Sequence, residues 1–259
     1  MSTDGFHLEV RDGVAVVTLD RPKANAIDAA TSVALGEAFV RFEEDPAVRV
    51  VVYTAAGEKF FSAGWDLGAA ADGEAFDSDY GPGGFGGFPD LPDRRTPVIA
   101  AVNGMAVGGG FEIAMSADMI VAAEHATFFL PEAAIGVLPD VGSVRLPRLF
   151  PRQLANEVLV AGRRLTAADL LQHGLVNRVV PGPELLDAAL ALAAKVVESA
   201  PLSVAAILDI GRRTAQMDPI AAMPFIKTLD SYRAAIDSED AQEGNLAFEE
   251  KRSPVWKGR

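Results

Sequence analysis

Residues 97–117 read Pro-Val-Ile-Ala-Ala-Val, then Asn-Gly-Met-Ala-Val-Gly-Gly-Gly, then Phe-Glu-Ile-Ala-Met-Ser-Ala, and no other stretch limits the fold as much. An apolar run opened by proline and lacking polar alternation has the signature of a strand, Val98–Val102, buried on both faces. Glycines at 104 and 108–110 turn the chain, and a helix over about 110–117 follows. A strand covered on both faces needs helices above and below it, which points to an α/β architecture.

The rest of the chain repeats this alternation as far as about residue 180. Phe6–Arg11 and Val14–Leu19 flank Asp12-Gly13, a strong hairpin signal. Asp28 is placed to cap a helix over 29–44, which Asp45-Pro46 stops. Val48–Thr54, Met119–Ala123, Thr127–Phe129 and Leu175–Val180 read as strands, Gly136–Asp140 as a turn and Gly142–Leu149 as a short helix. Thr166 and Asp169 form a capping-box pattern, and Gly174 is placed to end the helix that it starts. Residues 66–93 hold seven glycines, seven acidic residues and no lysine or arginine, so a long mobile loop is expected. Beyond Pro181 the sequence is helical, with breaks at Pro201, Asp218-Pro219 and Asp237-Ser238. The expected organisation is a main domain over 1–200 and a helical region over 201–259.

Charge and cysteine content narrow the function. With 23 Lys and Arg against 36 Asp and Glu, the net charge of −13 disfavours nucleic acid and anionic membranes as partners. There is no cysteine, which excludes thiol nucleophiles and Cys-bearing metal sites. His7, His125 and His173 lack ligand spacing, so no metal is expected. The N-terminal residues lack a signal-peptide pattern and no apolar stretch is long enough to span a membrane, so the expectation is a cytoplasmic protein.

Three motifs carry chemistry. The glycine run before Phe111 serves either close helix–strand packing or a helix N-terminus whose free amides face a developing negative oxygen. It matches neither G-x-G-x-x-G nor the phosphate-loop pattern. Ala63-Gly64-Trp65 offers a second amide-bearing turn, and two converging donors are what an oxyanion hole requires. Glu112 and Glu132 both lie in apolar surroundings, where a carboxylate needs a reason to be: a helix start, an arginine partner or a reaction. If the two converge, desolvation and repulsion raise the pKa of one and leave an acid beside a base. Gly142-Ser143-Val144 lacks the second glycine of a serine-hydrolase elbow.

Taken in order, Arg21-Pro22-Lys23-Ala24-Asn25-Ala26, Phe61–Leu67, Pro97–Glu112, Pro131-Glu132 through Pro147, and Glu243-Gly244 through Lys251-Arg252 resemble the crotonase, or enoyl-CoA hydratase/isomerase, superfamily along essentially the whole chain. The resemblance implies a spiral of repeated ββα units with a C-terminal helical region, assembled as a homotrimer or homohexamer. It implies a lyase acting on a coenzyme A thioester, with coenzyme A present as part of the acyl-CoA substrate and no prosthetic group. By position, the Trp65 and Gly109 amides would hold the thioester oxygen, and Glu112 and Glu132 would be the acid–base pair. Lys23, Ala24, Ala26, Ala63, Asp66 and Leu67 fall where the family holds coenzyme A. Tyr232, Phe248 and Lys251 match C-terminal positions that cover it, in several members from a neighbouring subunit.

Two positions depart from ordinary hydratases, which usually have a small residue at Trp65 and a glycine at Asp140. The resemblance is closest to a branch whose acyl group bears a trimethylammonium; the indole and Asp140 either suit such a cation, or Trp65 packs the pocket wall for a plain acyl chain. An aspartate eight residues after the second glutamate also resembles the dienoyl-CoA isomerases, which keeps double-bond migration open. Outside catalysis, an acyl-CoA-binding protein on the same scaffold is the alternative.

Overall fold

The computed structural model describes residues 2–3 and 5–259. Its strands are β1 (Ser2–Thr3), β2 (Phe6–Arg11), β3 (Val14–Leu19), β4 (Val50–Ala55), β5 (Phe60–Ser62), β6 (Val98–Val102), β7 (Met105–Val107), β8 (Met119–Ala123), β9 (Thr127–Phe129), β10 (Leu165–Thr166) and β11 (Arg178–Val180). The helices are α1 (Ala29–Glu44), α2 (Leu67–Ala71), α3 (Gly109–Ser116), α4 (Asp140–Leu149), α5 (Arg152–Ala161), α6 (Ala167–Gln172) and α7 (Leu185–Val197). Then come α8 (Pro201–Thr214), α9 (Pro219–Ile226), α10 (Asp230–Ile236) and α11 (Glu239–Glu250), and short 3-10 turns cover Glu132–Ile135 and Gly182–Glu184.

The strands form a seven-stranded sheet, β1-β2-β3-β4-β6-β8-β11, and a four-stranded sheet, β10-β9-β7-β5. From β3 onward every pair in the large sheet is parallel, as are β5–β7 and β7–β9 in the small one. The chain therefore executes one move three times: a strand in the large sheet, a strand in the small sheet, a corner, a helix. The units are β4-β5-α2, β6-β7-α3 and β8-β9 followed by the 3-10 turn and α4. No residue-level repeat announces them, because burial and corner geometry recur and side-chain identity does not. All residues of β4 and β6 are buried, and α7 closes the large sheet with Leu185, Ala189 and Ala193 inward. Each large apolar side chain removed from water in this way contributes roughly 1.5–3 kcal/mol.

Local chemistry places the elements as the sequence leads one to expect. β2 and β3 pair antiparallel about Asp12-Gly13, the Asp28 carboxylate accepts the Thr31 N–H at the start of α1, and Thr166 and Asp169 complete their capping box. Three expectations differ. The 104–110 segment is not all turn, since Met105–Val107 forms β7 against β9. The last strand is shorter than Leu175–Val180, since only Arg178–Val180 pairs with β8. Most consequentially, within residues 66–93 the stretch 81–88 is not a loose loop.

Asp66 caps α2, and residues 81–88 pack into the groove between α1 and α3. A Cβ on Gly87 would stand 2.5 Å from the Leu35 Cβ, and one on Gly86 would stand 2.3 Å from the Ile113 side chain. Phe88 is 1% exposed and joins an aromatic cluster with Phe39 at 4.9 Å and Tyr53 at 5.8 Å between ring centres. Here the glycines serve close approach; a composition that reads as flexibility is dense packing.

The C-terminal helices follow the expected breaks, and the last residues fasten them. Asp240, 2% exposed, accepts the Lys257 and Gly258 N–H groups, and the Trp256 indole donates to the Glu198 carbonyl at the end of α7. Among the described residues no single helix is long and apolar enough to cross a membrane.

Candidate active site

The corners that follow β5, β7 and β9 meet at one place. Ile27 bridges Trp65 in parallel fashion: the Ile27 N–H donates to the Gly64 carbonyl, and the Asp66 N–H donates to the Ile27 carbonyl. That pattern uses the groups on either side of Trp65 and leaves its own N–H facing away from the ladder. Gly109 is the first residue of α3, so its N–H has no acceptor one helical turn back. Neither amide donates to a protein acceptor among the described residues. The two corners touch: a Cβ on Gly64 would stand 2.8 Å from the Gly109 nitrogen. Two free amides thus converge, one of them at the positive end of a helix.

The 21–27 segment explains why this geometry holds. Asn25, 5% exposed, donates to the carbonyls of Ala56 and Phe60 at 3.0 Å each, and its own carbonyl accepts the Ser62 hydroxyl at 2.7 Å. The Ala63 N–H donates to the Ala24 carbonyl. Arg21 ties the far side, donating to the Ala26 carbonyl and to Asp28 at 2.6 Å.

Both glutamates enter the same cavity, of about 510 Å³. Glu112 is one turn into α3, and its Oε1 accepts the Gly142 N–H at 2.7 Å. Glu132 opens the 3-10 turn after β9, and its Oε2 is buried with no hydrogen-bond partner among the described residues. A Cβ on Gly108 would stand 2.5 Å from the Glu132 Oε1, so a side chain there displaces that carboxylate, and the φ of +55° separately favours glycine. Burial raises the Glu112 carboxyl to about 7 against the Gly142 amide, which works to lower it, while repulsion from Glu132 and Asp140 adds to the rise. Burial raises Glu132 to about 6. Near neutrality the site therefore holds one proton-loaded carboxyl and one carboxylate.

The outer wall comes from the 66–93 segment. Trp65 and Phe76 meet edge to face at 5.4 Å, as do Tyr80 and Phe85 at 5.3 Å, and all four line the cavity. Asp90 and Asp140 line it as well. Burial and the surrounding carboxylates of Glu74, Asp140 and Asp77 push the Tyr80 phenol up to about 12, which marks a region of negative potential.

Of the residues singled out in the sequence, Trp65, Gly109, Glu112, Glu132, Asp140, Ala26, Ala63, Asp66 and Leu67 all line this cavity. Lys23 and Ala24 lie in the same 21–27 segment but not in its wall, with Lys23 exposed. Tyr232, Phe248 and Lys251 do not line it, and Phe248 is 85% exposed. In the same chain the tail clasp at Asp240 and Glu198 sets residues 256–258 beside Arg49 and Pro97, away from this cavity's lining. The wall aromatics Phe76, Tyr80 and Phe85 were not evident in the sequence, where they look like stray residues in a polar loop. Nor was Gly142, whose amide holds Glu112.

A family model for enoyl-CoA hydratase/isomerase matches residues 9–259, and the chain belongs to that family. Within it, the chain is 54% identical over 260 residues to a carnitinyl-CoA dehydratase of Salmonella paratyphi A, covering 99% of this chain and 100% of the relative. Among solved structures, a carnitinyl-CoA hydratase from Mycobacterium avium is 41% identical with a TM-score of 0.77, covering 100% of both chains. An enoyl-CoA hydratase from Mycobacterium tuberculosis is 36% identical with a TM-score of 0.90, covering 98% of this chain and 99% of that one.

Proposed function

We propose that this cavity adds water to, and removes it from, an acyl-CoA thioester, and that the acyl group is carnitinyl or a close analogue. One observation carries the reading: two unengaged main-chain N–H groups and two buried carboxyls with raised pKa values face a single cavity. In dehydration the thioester oxygen accepts from the Trp65 and Gly109 amides as charge builds on it, each donor contributing about 2.7–4 kcal/mol in the transition state. Glu132, the lower of the two in pKa and free at Oε2, takes the α-proton. Glu112 gives its proton to the β-hydroxyl, the C–O bond breaks, water leaves and the α,β double bond forms. Hydration runs the same steps backward, with both transfers on one face of the substrate.

The narrower assignment rests on the high identity to carnitinyl-CoA dehydratase and on the wall. Aromatic faces beside Asp90 and Asp140, which form no salt bridge among the described residues, suit a quaternary ammonium, which needs a negative potential and offers no hydrogen-bond donor. Coenzyme A enters as part of the substrate, along Ala26, Ala63, Asp66 and Leu67, with Lys23 at the rim as a local cation. Tyr232, Phe248 and Lys251 then serve a neighbouring subunit's cavity in a homotrimer or a pair of trimers, with 201–259 as the assembling region of a cytoplasmic enzyme.

Glu112→Gln and Glu132→Gln test the mechanism. Each should lower turnover by about 10²–10⁴-fold while acyl-CoA binding persists. Near wild-type dehydration by both variants overturns it. Oxygen from labelled solvent appearing at the β-carbon identifies hydration, whereas an unchanged formula with a moved double bond identifies the isomerase.

A further inference from the structure

Glu74 plays no part in the chemistry described above, yet both of its carboxylate oxygens are engaged at the cavity wall. Oε1 accepts the Trp65 indole N–H at 2.7 Å, and Oε2 accepts the Ala29 N–H at 3.0 Å, at the first residue of the sixteen-residue helix α1. No arginine or lysine pairs with it among the described residues. Its charge is instead met by an indole dipole and by the positive end of a helix.

Two effects on the ring follow. The tether removes the freedom of the indole to swing into the cavity or out of it, so the wall keeps one shape. An anion bonded to the indole N–H also pushes electron density into the ring system, which makes its face more attractive to a cation. The main chain of Trp65 is held separately, by the Ile27 bonds to Gly64 and Asp66. Side chain and amide donor are thus positioned by different partners, and the wall can be perturbed without disturbing the oxyanion site.

We propose that Glu74 is a positioning residue for acyl-group selection, acting through Trp65 to make the wall recognise a quaternary ammonium on the acyl chain. This rests on the cationic-substrate reading given above. Crotonobetainyl-CoA and crotonyl-CoA differ in that group alone, so the ratio of their kcat/KM values measures it.

The test compares wild type with Glu74→Gln, Glu74→Ala, Trp65→Phe and the double variant Glu74→Ala/Trp65→Phe. Glu74→Ala should lose about 5- to 30-fold in the ratio, the span of a desolvated cation–π contact, with crotonyl-CoA turnover changed less than about threefold. Glu74→Gln keeps an acceptor for the indole without its charge and should fall between. The double variant should match Trp65→Phe, since Glu74 acts only through the indole. In a Trp256→Phe background Trp65 is the single tryptophan, the chain having two, and its emission is excited apart from that of tyrosine. Its quenching by acrylamide should rise in Glu74→Ala and stay near wild type in Glu74→Gln. A wild-type enzyme indifferent to the cation overturns the substrate reading, and the selectivity claim with it, before any variant is made. A selective wild type whose Glu74→Ala form loses both substrates equally, or adds its loss to that of Trp65→Phe, overturns the role of Glu74 alone.

Discussion

Replacing Glu112 by glutamine should destroy turnover and stabilise the fold, and the stabilisation should depend on pH in a way the site dictates. The Glu112 carboxyl rises from 4.5 to about 7 because burial outweighs the Gly142 N–H that favours its ionised form. Below about pH 4.5 it is protonated in folded and unfolded chains alike and contributes nothing. Between there and about pH 7 the unfolded chain has released its proton and the folded chain has not, so stability falls as pH rises. Above about pH 7 the folded protein carries the whole penalty, up to roughly 3 kcal/mol for a shift of this size. Glutamine has no such titration, and its Oε1 can still accept from Gly142. Thermal unfolding of wild type and Glu112→Gln at matched protein concentration should give coincident Tm values near pH 4.5. By pH 8 the variant should lie roughly 6–12 °C higher, at about 2–4 °C per kcal/mol for chains near this length. A Tm difference that stays flat from pH 5 to 8, or a variant less stable than wild type at pH 8, refutes the claim that burial sets this pKa.

The remaining expectations concern activity, geometry and assembly. With Glu132 titrating near 6 and Glu112 near 7, kcat/KM should rise through about pH 6 and fall through about pH 7 in the dehydration direction, and a profile still climbing at pH 8 would show that no protonated Glu112 is required. Gly108→Ala should cut kcat by at least about tenfold while acyl-CoA binding survives, because a methyl group there strikes the Glu132 carboxylate and misplaces the base; unchanged kcat would show that the corner yields. Arg94→Ala should cost about 3–5 kcal/mol in denaturant unfolding, since Arg94 is 8% exposed and its guanidinium grips Asp118 at 2.6 and 3.1 Å. Oligomers mixing Glu132→Gln chains with Lys251→Ala chains should contain sites intact in both respects if Lys251 serves a neighbour, so their activity at low substrate should exceed that of either parent; no gain would place Lys251 outside that role.

Much of this was legible in the sequence, and the parts that were not share a cause. The hairpin at Asp12-Gly13, the Asp28 cap and the Thr166–Asp169 box are local, and local chemistry is written in adjacent residues. The convergence of Glu112 and Glu132 came through family resemblance; their surroundings alone permitted a helix start or an arginine partner as well. The 66–93 segment reads as a loose loop because Gly86 and Gly87 look identical whether they loosen a chain or let it approach another, and only Ile113 and Leu35, far away in sequence, decide which. Phe76, Tyr80 and Phe85 escaped notice for the same reason. In the sequence Gly142 stands only in an incomplete nucleophile motif, whereas in the fold its amide holds Glu112.

Trp65, Gly109 and Glu132 follow equivalent strands of three successive coils, so the distance between them is inherited from the pitch at which strands stack, roughly 4.8 Å. That pitch is a property of peptide hydrogen bonding and is indifferent to which apolar residues fill the interior. Reactive spacing is therefore decoupled from interior drift, and the replaceable lining supplied by residues 66–93 can alter which acyl groups are admitted while the ruler beneath it stays the same.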